Sequence, residues 1–351
     1  MPLLPMAPAA SMAAAPVAFP RLKMPLPPAM ITLPDTVVSP PPPLSVAGRR
    51  VASPPKHKAV VVLGATGTGK SRLAIDLALR FGGEVINSDK MQVYAGLDVA
   101  TNKVGPADCL GVPHHLLGVV PHPDADFTAA DFRREAARAA ASIAARGRVP
   151  IVAGGSNSYV EELVEGLGGE FRDRYACCFL WVDAGLPVLR DFVARRVDEM
   201  LRRGLVAEVA AAFDPRRTDY SAGVWRAIGV PELDAYLRSR GLDGVEEHER
   251  DRLLAEAVEE IKENTFRLAC RQRGKIQRLA RMWRVRRVDA TEVFVRSGRD
   301  ADDAWQRLVA APSIDAVRAF LLQDHQAGYE YSSMVKGSVF STAGAVAAAA
   351  V

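Results

Sequence analysis

AVVVLGATGTGKSRLAIDLA, residues 59–78, sets the fold. Ala59–Leu63 is a short, β-branched apolar run that ends in glycine, the pattern of a strand buried on both faces. Ser71–Phe81 places Ala74, Leu77, Ala78 and Phe81 on one helical stripe, and Gly82-Gly83 stops it. Between strand and helix, Gly64-Ala65-Thr66-Gly67-Thr68-Gly69-Lys70-Ser71 matches G-x-x-x-x-G-K-[ST]. Glycines let backbone N–H groups curl around an anion, and the helix points its positive end at the same place. Lys70 brings a mobile charge to phosphate oxygens, and Ser71 is a ligand for Mg²⁺. The loop holds a phosphate group; a kinase, an NTP-driven switch and a transferase that expels diphosphate would all use it.

Reading outward, Glu84–Asn87 is the next strand and delivers Ser88-Asp89 to its carboxyl end, where open parallel sheets bind ligands. Asp89 is therefore expected beside the phosphate loop, on an adjacent strand end. From spacing alone it serves equally as a Mg²⁺ ligand, a general base or a turn cap. Thr128 with Asp131 opens a helix carrying Phe132, Ala136, Ala139 and Ile143 and ending at Gly147. Val149–Ala153 and Cys178–Val182 are further strands, with a helix from about Asn157 between them. Asp183, at the end of FLWVDA, fits a Walker-B acid only loosely. The alternation implies an α/β, P-loop NTPase-like parallel sheet flanked by helices, with a mostly helical C-terminal portion. The expected organisation is a leader over 1–55, an α/β core over 56–185, a mainly helical part of the same catalytic unit over 186–290, and an extension over 291–351 ending in a low-complexity tail.

The formal charge of +4 is unevenly placed: residues 1–58 hold six basic residues and one acid, leaving the remainder at −1. The basic pI comes from the leader and is no argument that the folded body as a whole binds nucleic acid. No apolar run is long enough for a membrane span. Residues 1–55, rich in Ala and Pro and nearly free of acids, suit an organelle transit peptide, in a plastid (chloroplast) first and with a cytoplasmic chain as the alternative. The four cysteines make no zinc pattern and read as reduced structural thiols. Adjacent His114-His115 point to opposite sides of an extended segment, which argues against a shared metal.

Six segments in order, GATGTGKSRLAIDLA, INSDKMQVYAGLDVATNK, VPHHLLGV, FTAADFRREA, VAGGSNSYVEELVEG and AIGVPELDAY, resemble the isopentenyltransferase family. That family joins tRNA dimethylallyltransferases and plant adenylate isopentenyltransferases, and the details are most similar to the plant adenylate branch. The resemblance runs from about Lys58 to about Trp283. It implies that the loop holds the diphosphate of dimethylallyl diphosphate, that Asp89 is the general base for the N6 amine of an adenine, and that Mg²⁺ is the cofactor. The acceptor it implies is free ATP or ADP, with AMP behind; tRNA is the alternative, a small-molecule kinase a more distant one. By motif position Thr101, Arg226 and Lys262 join the phosphate-binding set. Gly154-Gly155-Ser156 either contacts substrate or allows close packing. Residues 264–288 carry nine Lys/Arg and no acid; the segment reads as a helix that holds nucleotide phosphates, faces RNA or is merely solvated.

Overall fold

The structure, a computed structural model, describes residues 56–323; the expected leader and low-complexity tail lie outside the described residues. β1 (His57–Gly64) runs into the phosphate loop and α1 (Lys70–Phe81), and Gly82 closes that helix in the left-handed conformation. β2 (Gly83–Asn87) follows, then a long loop to a two-residue strand, β3 (His114–His115). α2 (Ala129–Ala145) starts on the expected capping box: the Thr128 hydroxyl accepts from the Asp131 N–H at 3.1 Å, and the Asp131 carboxylate accepts from the Thr128 N–H at 3.0 Å. Its buried stripe is Phe132, Ala136, Ala140 and Ile143, so Ala140 replaces the expected Ala139 at the centre of the face. β4 (Val149–Ala153), α3 (Asn157–Arg174) and β5 (Tyr175–Asp183) complete the alternating part. Left-handed residues Leu167, Gly168 and Gly169 kink α3.

Four helices follow: α4 (Leu186–Arg202), α5 (Leu205–Ala212), α6 (Asp234–Ser239) and the long α7 (Glu247–Met282). The expected helix over 264–288 is corrected here. It stops at Met282, and β6 (Val285–Asp289) adds a strand beside β5. Trp283 turns extended, Val288 is buried, and Arg286 and Arg287 between them are exposed. α8 (Thr291–Phe294) and α9 (Gly298–Trp305) come next, and a π-helical turn at Gln306–Ala310 leads into helix through 323.

All six strands are parallel, in the order β3-β2-β4-β1-β5-β6. β1 is central, and its side chains alternate between two cores. Ala59, Val61 and Leu63 pack with Phe132, Tyr159 and Leu163 beneath α2 and α3. Val60 and Val62 pack with Leu73 and Leu77 of α1 and with Trp305, Val309 and Val317 of the C-terminal helices. Burying a side chain of that size contributes about 1.5–3 kcal/mol, so both layers anchor the loop that follows β1. Asp183, at the end of β5, is 1% exposed and is held by Arg273 at 2.9 Å and Arg287 at 2.8 Å. These two bonds fasten α7 and β6 to the sheet. No described helix is long and apolar enough to cross a membrane.

Candidate active site

The phosphate loop leaves the sheet at Gly64, where a Cβ would lie 2.5 Å from the Thr68 hydroxyl and 2.9 Å from the Val182 carbonyl. Thr68 is fully buried and its hydroxyl donates to the Ala65 carbonyl at 2.9 Å, so Gly64, Ala65 and Thr68 shape the turn from behind. Thr66, Gly67, Gly69, Lys70 and Ser71 line a cavity of about 980 Å³. Gly67 and Gly69 adopt φ of 86° and 90°, a region open chiefly to glycine.

Asp89 and Thr101 line the same cavity. The Asp89 carboxylate accepts from the Met91 N–H at 3.0 Å, which fixes it at the end of β2. The expectation of adjacent strand ends needs correcting: β4 lies between β1 and β2. Its Gly154-Gly155-Ser156 corner fills the gap, and a Cβ on Gly154 would come within 2.3 Å of the Ser88 carbonyl carbon. Gly154 therefore permits close packing of two strand ends. Ser156 ties them further, its hydroxyl accepting from the Lys90 N–H at 2.8 Å. The Thr101 hydroxyl donates to the Leu97 carbonyl at 2.7 Å and accepts from Lys103 at 2.9 Å.

Arg226 also reaches the cavity, with one guanidinium nitrogen buried and without a partner. Lys262 does not reach it. Its ammonium pairs with Glu259 at 2.9 Å and with Asp198 of α4 at 3.1 Å, partners that raise its pKa and hold it between α4 and α7. Asp183 is likewise committed to two arginines. The histidine pair is divided as expected: His115 lies 2.7 Å from Glu84, and His114 sits 2.9 Å from the Val112 carbonyl.

Two residues that hydrogen-bond the phosphate loop at Thr66 escaped the sequence reading. Arg196 of α4 donates to the Thr66 hydroxyl at 2.7 Å, and its Nε is buried without a partner. Gln272 of α7 accepts from the Thr66 N–H at 2.7 Å and donates to the Gly155 carbonyl at 2.9 Å, bridging the phosphate loop to the β4 corner. Each is a polar residue in register with an apolar stripe, Leu189-Val193-Val197-Met200 and Ala269-Ile276-Leu279 respectively. That interruption was the available signal.

Nine Lys/Arg side chains line the cavity: Lys70, Arg72, Lys90, Arg195, Arg196, Arg226, Arg271, Lys275 and Arg296. Among its described lining residues Asp89 is the only acid. Burial pushes the Lys70 ammonium down to about 8; Asp89 opposes the shift and Arg196 adds to it. Burial also lowers Arg196, with Asp89 again opposing. Lys90 is lowered by burial and by Arg226, against Asp126. Such a cavity is charged for polyanions, with apolar ground supplied by Phe192, Ile228, Leu268 and Phe294. For Mg²⁺ the cavity offers the Ser71 hydroxyl at the phosphate loop and the Asp89 carboxylate, and no described group of three or more His, Cys, Asp or Glu. That donor set fits an ion that keeps waters and takes its other ligands from phosphates.

Comparison with known proteins gives the geometry its context. The family described as IPP transferase matches residues 92–174 and 168–279. Adenylate isopentenyltransferase 5, chloroplastic, of Arabidopsis thaliana is 61% identical over 268 residues, covering 76% of this chain and 81% of that one. Adenylate isopentenyltransferase 7, mitochondrial, of the same plant is 53% identical, covering 78% and 83%. A crystal structure of a eukaryotic dimethylallyltransferase acting on tRNA superposes with a TM-score of 0.63 at 23% identity, covering 76% of this chain and 80% of that one. At that identity it speaks for the fold.

Proposed function

This chain belongs to the IPP transferase family, and on that premise we propose that it transfers the dimethylallyl group of dimethylallyl diphosphate to the N6 amine of an adenine nucleotide, the first step of cytokinin biosynthesis. The observation that carries the reading is the single carboxylate, Asp89, in the same cavity as the phosphate loop, where every other charged lining residue is a cation. The amine nitrogen attacks C1 of the prenyl group, the C1–O bond breaks, and diphosphate departs. Asp89 accepts the amine proton as the new N–C bond forms; this sharpens a nucleophile whose lone pair is delocalised into the ring. Loop N–H groups and Lys70 neutralise the leaving charge. Ser71 is the residue that would hold Mg²⁺, which supplies further neutralisation of the diphosphate when bound. Phe192, Ile228, Leu268 and Phe294 are apolar ground for the isoprenoid and the base.

The excess of cations suits ATP or ADP better than AMP. Within 264–288, Arg267, Arg273, Arg278 and Arg287 are engaged by Glu263, Asp183 and Glu161, while Arg271 and Lys275 face the cavity. This supports nucleotide phosphates over an RNA stem as their target. With Asp183 taken by two arginines, the phosphoryl-transfer reading lacks its Walker-B acid. Residues 1–55 are proposed to direct the chain to a plastid, supported by their composition and by the chloroplastic name of one relative; the mitochondrial name of another supports organelle targeting alone. A fusion of residues 1–60 to a fluorescent protein that stayed cytosolic would refute this.

The deciding experiment gives the full chain Mg²⁺ and dimethylallyl diphosphate with ATP, ADP, AMP or unmodified tRNA, and detects N6-prenyl adenine by mass. Product on ATP and ADP supports the proposal. Product on tRNA alone overturns it, as does ATP consumption without any prenylated product.

The Lys70 ammonium also predicts a pH profile. It is charged below about pH 8 in the free protein and loses its proton as the pH rises through that value. kcat/KM for the prenyl donor, which reports the free enzyme, should fall above about pH 8 with the slope of one proton. Lys70→Arg should abolish that limb; a limb unchanged in the arginine variant would assign it to another group.

A further inference from the structure

The family match ends at residue 279, yet Phe294, Arg296, Ser297 and Trp305 form one wall of the cavity. Trp305 is 1% exposed and is aimed at the phosphate loop. A Cβ on Gly69 would lie 2.6 Å from its Cζ3 and 2.8 Å from its Cη2, so the edge of the indole rests on the glycine's Cα. The indole N–H donates to the Asp76 carboxylate of α1 at 2.8 Å. The Arg72 guanidinium lies 4.7 Å from the ring centroid and pairs with Asp302 at 2.8 Å. The π-helical turn begins at the next residue, Gln306, a local widening of the kind often found where a helix serves a site.

Any buried tryptophan needs a partner for its N–H; what core filling does not require is an indole edge set against a left-handed glycine of the phosphate loop. We infer that Trp305 is a positioning residue for the phosphate loop. It holds the left-handed turn at Gly69 in the form that carries Lys70 and Ser71 into the cavity. The inference rests on the reading that this loop receives the donor's diphosphate. The indole is fixed to α1 at one end and presses on the loop at the other, so it sets the loop against the helix whose N-terminus faces the anion. Its loss should weaken diphosphate binding and leave the acceptor side of the cavity largely unaffected.

The test uses the full chain with Mg²⁺ and inorganic pyrophosphate, titrated calorimetrically, beside KM values for dimethylallyl diphosphate and ATP. Trp305→Ala should weaken pyrophosphate binding and raise the donor KM by about tenfold or more, as misplacement of a positioning group does. The ATP KM should stay within about twofold, and Trp305→Phe, which keeps a ring against Gly69, should recover most of the loss. Pyrophosphate should also change the tryptophan emission of the wild type by an amount missing in Trp305→Phe, a readout that survives if the alanine variant fails to fold. Equal shifts in both KM values, unchanged pyrophosphate affinity in Trp305→Ala, or identical emission changes in wild type and Trp305→Phe would overturn the inference. Lys70→Ala separates the two levels. If it leaves pyrophosphate binding intact, the reading of the loop is wrong; if it weakens binding while Trp305→Ala does not, only the role of Trp305 fails.

Discussion

Replacing Asp89 by alanine should lower kcat by about 10²–10⁴-fold, the usual worth of a positioned general base, with little change in the affinity for dimethylallyl diphosphate. The split follows from the site. The carboxylate is anchored by the Met91 N–H at the end of β2, while the phosphate cradle is formed by backbone after β1, with the β4 corner between them. Removing the carboxylate leaves that cradle standing. Single-turnover kinetics beside equilibrium binding of the donor would check it; wild-type turnover would remove Asp89 from the mechanism. A second consequence concerns Lys70. Asp89 supports its charged form against burial, so Asp89→Asn should move the alkaline loss of pyrophosphate binding to lower pH. A midpoint that stays in place or moves upward would show that the two groups are not coupled across the cavity.

Lys70→Ala should have an effect of comparable size and different character. The ammonium lies within the loop, 3.3 Å from the Ala65 carbonyl, and is the cation built into the phosphate cradle itself. Its removal takes charge away from both the bound diphosphate and the departing one. kcat should fall by about 10²–10³-fold, as when one preorganised stabiliser of developing charge is deleted, and donor binding should weaken in parallel. Arg196 remains nearby, bonded to Thr66, which keeps the loss from being total. Steady-state kinetics with pyrophosphate as a competitive inhibitor would separate the two contributions. Unchanged inhibition and unchanged kcat together would exclude Lys70 from the leaving-group site.

The part of this site legible in the sequence is the part written in local backbone chemistry. The run from Ala59 to Phe81 announces strand, loop and helix because glycine, β-branched and amphipathic positions each restrict the chain within a few residues. Thr128 and Asp131 mark a helix start for the same reason. Asp89 was legible as a strand-end acid beside the loop, but its strand was taken as the neighbour of β1, because strand order is a long-range property and β4 intervenes. Val285–Asp289 was hidden by Arg286 and Arg287, which continue the basic run of α7 and mask a strand whose fit depends on β5. Lys262 and Arg226 looked alike by position; only the partners Asp198 and Glu259 turn the first away from the cavity. Gln272, Arg196 and Trp305 reach the loop from across the fold, by contacts spanning 130 residues or more in the case of Thr66.

The two margins of the sheet also bear on how the molecule behaves among copies of itself. An open sheet exposes unpaired backbone groups at its edges, and long apolar edges recruit other chains into aggregates. Here one margin is β3, two residues long and preceded by Pro113; the other is β6, whose outward positions carry Arg286 and Arg287. One edge is too short to template a neighbouring strand, and the other presents the exposed charge of Arg286, Arg287 being paired with Asp183. Both margins of the parallel sheet thus work against addition of a strand from a second molecule.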